Sequence, residues 1–187
     1  MKILKTILIS LLSTILLLIA LLAGTVLFWY TTEFYPYQEE LQKAIETSKA
    51  ELGTDINQIY LLANMVATKQ GMLIHSSRQS FYYLSYQHKK RRESWHVDSF
   101  LWLIILNLLY TDNEIFYLWS HYALFHEGWG INNAAIKMFR KPIVSLELKK
   151  QITIMAMIQA PSRFKLGSAE LKVRVEYLLK KYHEMSN

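Results

Sequence analysis

Residues 129–164 read WGINNAAIKMFRKPIVSLELKKQITIMAMIQAPSRF. Gly128 and Gly130 permit a tight reversal of the chain ahead of a helix, because glycine enters backbone regions closed to other residues. Ala134 and Ala135 then allow close approach to a neighbouring helix. Lys141 ends that helix where a cation suits the dipole. Ala160-Pro161-Ser162 stops the next one, since the residue before a proline is pushed out of the helical region. The tract therefore reads as helix, turn, helix and stop, predicting helices over 132–140 and 145–158.

The same punctuation continues on both sides. Residues 39–52 are amphipathic and stop at Gly53, and Asp55 caps a second helix to about Lys69. Residues 71–77 read as a loop, and residues 80–86 carry Phe81, Tyr82, Tyr83 and Tyr86. That aromatic stretch fits either a membrane interface or a helix with its rings in the core. A basic run, His88 to Arg92, follows. Asp98 or Ser99 caps an apolar segment at 100–110, which is too short to span a bilayer and is expected to be a buried core helix. Asp112 caps a helix over 113–125, and a last helix fits 168–183. Period-two alternation is sustained nowhere, so no strand is expected.

The N-terminus differs in kind. Lys2 and Lys5 precede a run without charge from Thr6 to Thr32. As a helix this run is about 40 Å long at 1.5 Å per residue. The hydrocarbon core measures about 30 Å. Trp29 and Tyr30 close it, as headgroup-level aromatics do. The lysines before it and Glu33, Glu39 and Glu40 after it predict an N-terminus in the cytoplasm. A cleaved signal peptide has a shorter apolar region, and the small residues Ala20 and Ala23 lie inside this one. The expected division is a cytoplasmic stub and membrane anchor over 1–32, then a helical domain over 33–187 outside the cytoplasm.

The whole chain is 187 residues, 52% hydrophobic and 19% charged, with no cysteine. That excludes a disordered chain, a disulfide scaffold and a cysteine-ligated metal. The net charge is +6. In a domain outside the cytoplasm this favours an anionic membrane surface or substrate over nucleic acid.

The tract resembles the last motif block of the peptidoglycan glycosyltransferases, family 51 of the glycosyltransferases. Trp129-Gly130-Ile131, Ala134-Ala135, Phe139, Lys141, Leu146, Leu148 and Ala160-Pro161-Ser162-Arg163-Phe164 fit it without a gap. Tyr110-Thr111-Asp112-Asn113-Glu114-Ile115 resembles the preceding block, and Arg174 falls where the family carries an arginine. The likeness covers residues 110–174. It implies a mainly α, lysozyme-like domain of the monofunctional type, without a transpeptidase. It also implies lipid II or another polyprenyl-diphosphate glycan as ligand, with the membrane and other cell-wall synthases as partners. Members polymerise lipid II with inversion, often with a divalent metal at the diphosphate. One glutamate serves as base, because a sugar hydroxyl is a poor nucleophile. The departing diphosphate calls for cations.

Carried over position by position, the chemistry fits less well. Counting back from Gly53 places Ala44 at the base and Glu51 at a histidine, and Glu46 reaches the base position only with a two-residue deletion. Counting from Tyr110 places Ser99 at the second glutamate, with Asp98 beside it. His121 falls at an asparagine, Arg140 at a glycine, Lys150 at a glutamate and Leu166 at a proline. The nominated catalytic acids are therefore Glu46 and Asp98. The nominated substrate-binding residues are Lys141, Arg78, Arg92, Glu127 and Ser162. His121 and His126 are five apart and do not share a helical face, so no metal site is assigned to them. The matches fall at packing positions and the losses at chemistry. Two readings follow: a divergent transferase whose acids have moved, or a non-catalytic relative that holds lipid II or scaffolds a synthase.

Overall fold

The computed structural model describes residues 2–53, 56–89, 95–126 and 128–186. The chain is mainly helical and divides into two compact units, Met1–Glu39 and Glu40–Asn187.

The first unit holds α1 (Lys2–Trp29), a π-helical turn (Tyr30–Phe34) and a 3-10 turn (Tyr35–Tyr37) with Pro36 in its first turn. α1 is long and apolar enough to cross a membrane. Its few hydroxyls do not break that character. Thr14 and Thr25 each donate to the carbonyl four residues back, Ser10 and Leu21, at 2.9 Å. A hydroxyl bonded to its own helix needs no water. Tyr30 stacks on Phe34 at a centroid distance of 5.7 Å and accepts a hydrogen bond from Gln38 Nε2 at 3.0 Å.

The remaining helices are α2 (Gln38–Leu52), α3 (Asn57–Val66), α4 (Lys69–Gln87), α5 (Trp95–Leu109), α6 (Asp112–Tyr122), α7 (Ile131–Phe139), α8 (Leu148–Ile158) and α9 (Ala169–Ser186). A 3-10 turn, Ile143–Ser145, precedes α8. α3, α6, α7, α8 and α9 enclose a core of Leu62, Phe116, Trp119, Ala135, Ile152, Met155 and Leu178. α4 lies against α6 and α5, with Phe81 edge-on to Trp102 at 5.7 Å.

Four expectations are corrected. Residues 71–77 belong to α4 and are not a loop. Thr68 caps it, accepting from Gly71 N–H at 3.1 Å. The serines donate back to α4's own carbonyls, Ser76 to Met72 at 2.7 Å and Ser80 to Ser76 at 2.6 Å. They serve as small packing residues, not as turn formers. The segment at 100–110 is not buried all round. α5 buries Asp98, Ser99, Trp102 and Leu106 and exposes Val97, Phe100, Ile104 and Leu108 on its other side. The helix beginning near Asp112 stops at Tyr122, and its cap is Thr111, in a capping box with Glu114. Two short strands that were not expected, β1 (Leu124–Phe125) and β2 (Gly128–Trp129), form an antiparallel hairpin. Asp55, the proposed cap of α3, lies outside the described residues.

The hairpin sets up α7. Gly130 has φ +90, and its N–H donates to Ala123 O at 2.8 Å. A Cβ there would meet the His121 carbonyl at 3.3 Å. Behind it, a polar chain, buried at Asn132, Ile143 and Gln151 and exposed at its two ends, joins five segments. Asn132 Oδ1 accepts from Ile143 N–H at 3.1 Å. Gln151 Nε2 donates to Ile143 O at 3.0 Å, and Gln151 Oε1 accepts from Gln58 at 2.6 Å. At the far end Glu51 hydrogen-bonds the Asn132 side chain, which lowers its carboxyl pKa, while burial, the larger effect, raises it.

Candidate functional site

α4 continues as a helix through Arg78, Tyr82 and Tyr86, which are four residues apart and so share one face. α5 brings Trp95 and Ser99 opposite that face, and β1 adds Leu124. Between them lies a groove of about 700 Å³. Its walls are chiefly aromatic, with the Arg78 guanidinium as the cation in its lining. Ser85 Oγ, buried on the same wall, has no hydrogen-bond partner among the described residues. A buried hydroxyl in that condition is free to accept from or donate to a guest. Ser99 Oγ donates to the His96 carbonyl at 3.1 Å.

Beside Tyr82 an aromatic bank extends the wall. Tyr82 and Tyr83 lie 6.1 and 5.2 Å from Trp129, and Tyr83 lies 5.3 Å from Tyr122. Burial raises the Tyr122 phenol pKa, so it stays neutral. One turn before Arg78, His75 packs edge-on to Trp119 at 6.4 Å. Burial, then the charge of Arg78, lowers its pKa to about 4, so it is uncharged at neutral pH. A second, smaller hollow of about 240 Å³ is lined by Tyr60, Asn107, Tyr110 and the ion pair Lys69–Asp112 at 2.5 Å.

The nominated residues are dispersed. Arg78 lines the groove. Glu46 is exposed on α2, and its Oε1 accepts from Gln42 at 3.2 Å. Ala44, at the position counted for the base, is only 3% exposed and sits in packing. Asp98 is 4% exposed in the first turn of α5, next to Ser99 of the groove. Lys141 is exposed just beyond α7, after Arg140 in the left-handed conformation. Ser162 is exposed in a turn closed by Phe164 N–H to Ala160 O at 2.8 Å. Arg92 and Glu127 lie outside the described residues. Neither hollow is lined by Glu46, Asp98 or Lys141. Among the described residues no group of three His, Asp or Glu side chains is placed to hold a metal.

Several positions of the resembling tract serve the scaffold. Ala134 and Ala135 are buried under the core. Arg174 Nη2 donates to Gln159 Oε1 at 2.6 Å, and Gln159 Nε2 donates to Val66 O at 2.6 Å, tying α9 to α3. The groove residues Trp95 and Ser85 went unnominated. The spacing of Arg78, Tyr82 and Tyr86 was the signal for their wall, and it is visible only once α4 is read as continuous.

No family model matches the chain, and no solved structure matches it. Among curated proteins it is 30% identical over 77 residues to the uncharacterized protein YfeL of Salmonella typhimurium. The alignment covers 38% of this chain and 43% of that protein, so the chain spans less than half the length of this relative.

Proposed function

We propose that this is a membrane-anchored, glycosyltransferase-51-like protein of cell-wall synthesis that holds lipid II or a related polyprenyl-diphosphate glycan without polymerising it. In this reading α1 spans the cytoplasmic membrane with its N-terminus inside, and a lysozyme-like helical domain stands outside. The observation that carries it is the groove between α4 and α5. Arg78 supplies a cation for a diphosphate, and Tyr82, Tyr86 and Trp95 supply apolar surface for the prenyl chain or the sugar faces. Against turnover stand Ala44, buried where a base is needed, and Glu46, held in solvent by Gln42.

A second reading, an active inverting transferase, draws on Asp98, whose neighbour Ser99 lines the groove. There a carboxylate takes the proton of the acceptor hydroxyl, the new bond forms at the sugar C1, and the C1–diphosphate bond breaks. A divalent metal at the diphosphate, if bound, would offset the charge of the leaving group.

The test uses full-length protein in vesicles carrying labelled lipid II. The binding reading expects retained lipid II and no glycan polymer with or without divalent metal. An exposed charge-assisted contact contributes at the low end of about 1.5–3 kcal/mol, so Arg78→Ala should weaken binding about tenfold. Unchanged affinity removes Arg78 from the site. Polymer formed by the wild type and abolished by Asp98→Asn establishes the second reading instead.

A further inference from the structure

α5 breaks a rule that soluble domains keep. Its inner side, Asp98, Ser99, Trp102 and Leu106, is buried against its neighbours. Its outer side is also mainly apolar, with exposed His96 and Asn107 along one edge. Val97, Phe100, Ile104 and Leu108 are 59%, 59%, 39% and 70% exposed. At 3.6 residues per turn these four fall within roughly 100° of arc. Between Asp98 and Asp112 the chain has no charged residue. A solvated helix face is expected to carry charge, and a contiguous apolar one marks a surface that something covers.

We propose that this face of α5 lies in the membrane interface, so that the outer domain rests on the bilayer by a second contact besides α1. Three observations select a bilayer as the occupant. The same chain carries a helix long and apolar enough to cross one. The side chains are also graded along the helix. Trp95 begins it and shares the groove with exposed Tyr82 and Tyr86, and exposed Lys89 follows α4, while the other end is mainly aliphatic at Ile104, Leu108 and Leu109, with Asn107 as its exposed polar residue. Aromatics and lysine belong at headgroup level, and aliphatic residues sink deeper, by about 5–10 Å for an interfacial helix. Finally, among its described residues the face carries no acid, and its ionisable side chain is His96, exposed four residues before Phe100, which gives a protein partner's charges little to pair with. The proposal rests on the membrane anchorage proposed above and is independent of the glycan ligand.

The absence of cysteine makes a direct test clean. Leu108→Cys, Leu16→Cys in α1 and Lys172→Cys in α9 are each labelled with an environment-sensitive fluorophore. Each labelled full-length protein is reconstituted into vesicles of equal phosphatidylethanolamine and phosphatidylglycerol. A nitroxide carried on the lipid chains should at least halve the emission at Leu108 and at Leu16. Emission at Lys172 should stay near its starting value and be quenched by aqueous iodide instead. If Leu16 is quenched and Leu108 responds like Lys172, the anchorage stands and the α5 contact is overturned. If Leu16 also escapes the lipid quencher, anchorage and contact fail together. A Leu108 probe shielded from both quenchers, with emission that rises with protein density, shows a second copy on this face and overturns the proposal.

Discussion

Replacing Asn132 with leucine tests whether the buried polar chain holds α7 to α8. Asn132 is 6% exposed, and its Oδ1 takes the N–H of Ile143, a residue whose own side chain is fully buried. Among the described residues Asn132 is the acceptor for that N–H, so Asn132→Leu strands a buried donor. Such a group costs about 1–3 kcal/mol. The middle of that range, about 2 kcal/mol, corresponds to a fall of about 1 M in the urea midpoint at an m-value of about 2 kcal/mol/M. The assay is urea unfolding of the full chain in detergent, followed by tryptophan fluorescence. Asn132→Asp is the control. It keeps an acceptor for Ile143 but faces the Glu51 carboxylate, so it should resemble wild type near pH 4 and lose stability as the pH rises. A midpoint that hardly moves in Asn132→Leu, or an Asn132→Asp variant equally weak at both pH values, refutes the argument.

Two further outcomes can be checked with the same unfolding assay. His75 has a folded-state pKa of about 4 against an ordinary 6.5. The unfolded chain therefore binds its proton first, and stability falls as pH drops from above 6.5 toward 4, by up to about 3 kcal/mol. His75→Phe should flatten that part of the pH profile, and an unchanged profile would assign the loss to other groups. Gly130→Ala places a Cβ at φ +90 and 3.3 Å from the His121 carbonyl. It should cost about 1–3 kcal/mol, whereas a neutral result would mean that the hairpin readily shifts.

Most of the helices were legible because each has its own punctuation. Gly53 ends α2, Gly130 precedes α7 and Pro161 follows α8, while α6 was expected from an Asp112 cap and is instead boxed by Thr111 and Glu114. α4 was obscured by residues with two meanings. Gly71 and the serines at 76 and 77 favour turns locally, yet they suit a helix pressed against two others. The outer face of α5 was illegible for a different reason. A segment apolar all round carries no phase, so its sequence cannot say which side is covered. The hairpin strands are too short to alternate. The groove depended on both misread segments, since α4 supplies one wall and α5 the other, and only Arg78 of its lining had been nominated.

The tract at 129–164 leads to a broader point. Gly130 is held by φ and a nearby carbonyl, Ala134 and Ala135 by the helix above them, and Asn132 and Gln151 by the backbone of Ile143. These demands are internal to the fold and are indifferent to any ligand. A resemblance confined to such a tract concerns packing, as the joints of a frame do, and tells little about the trade practised inside. The place to look for that trade is the wall of α4 and α5, where the fold itself asks for little.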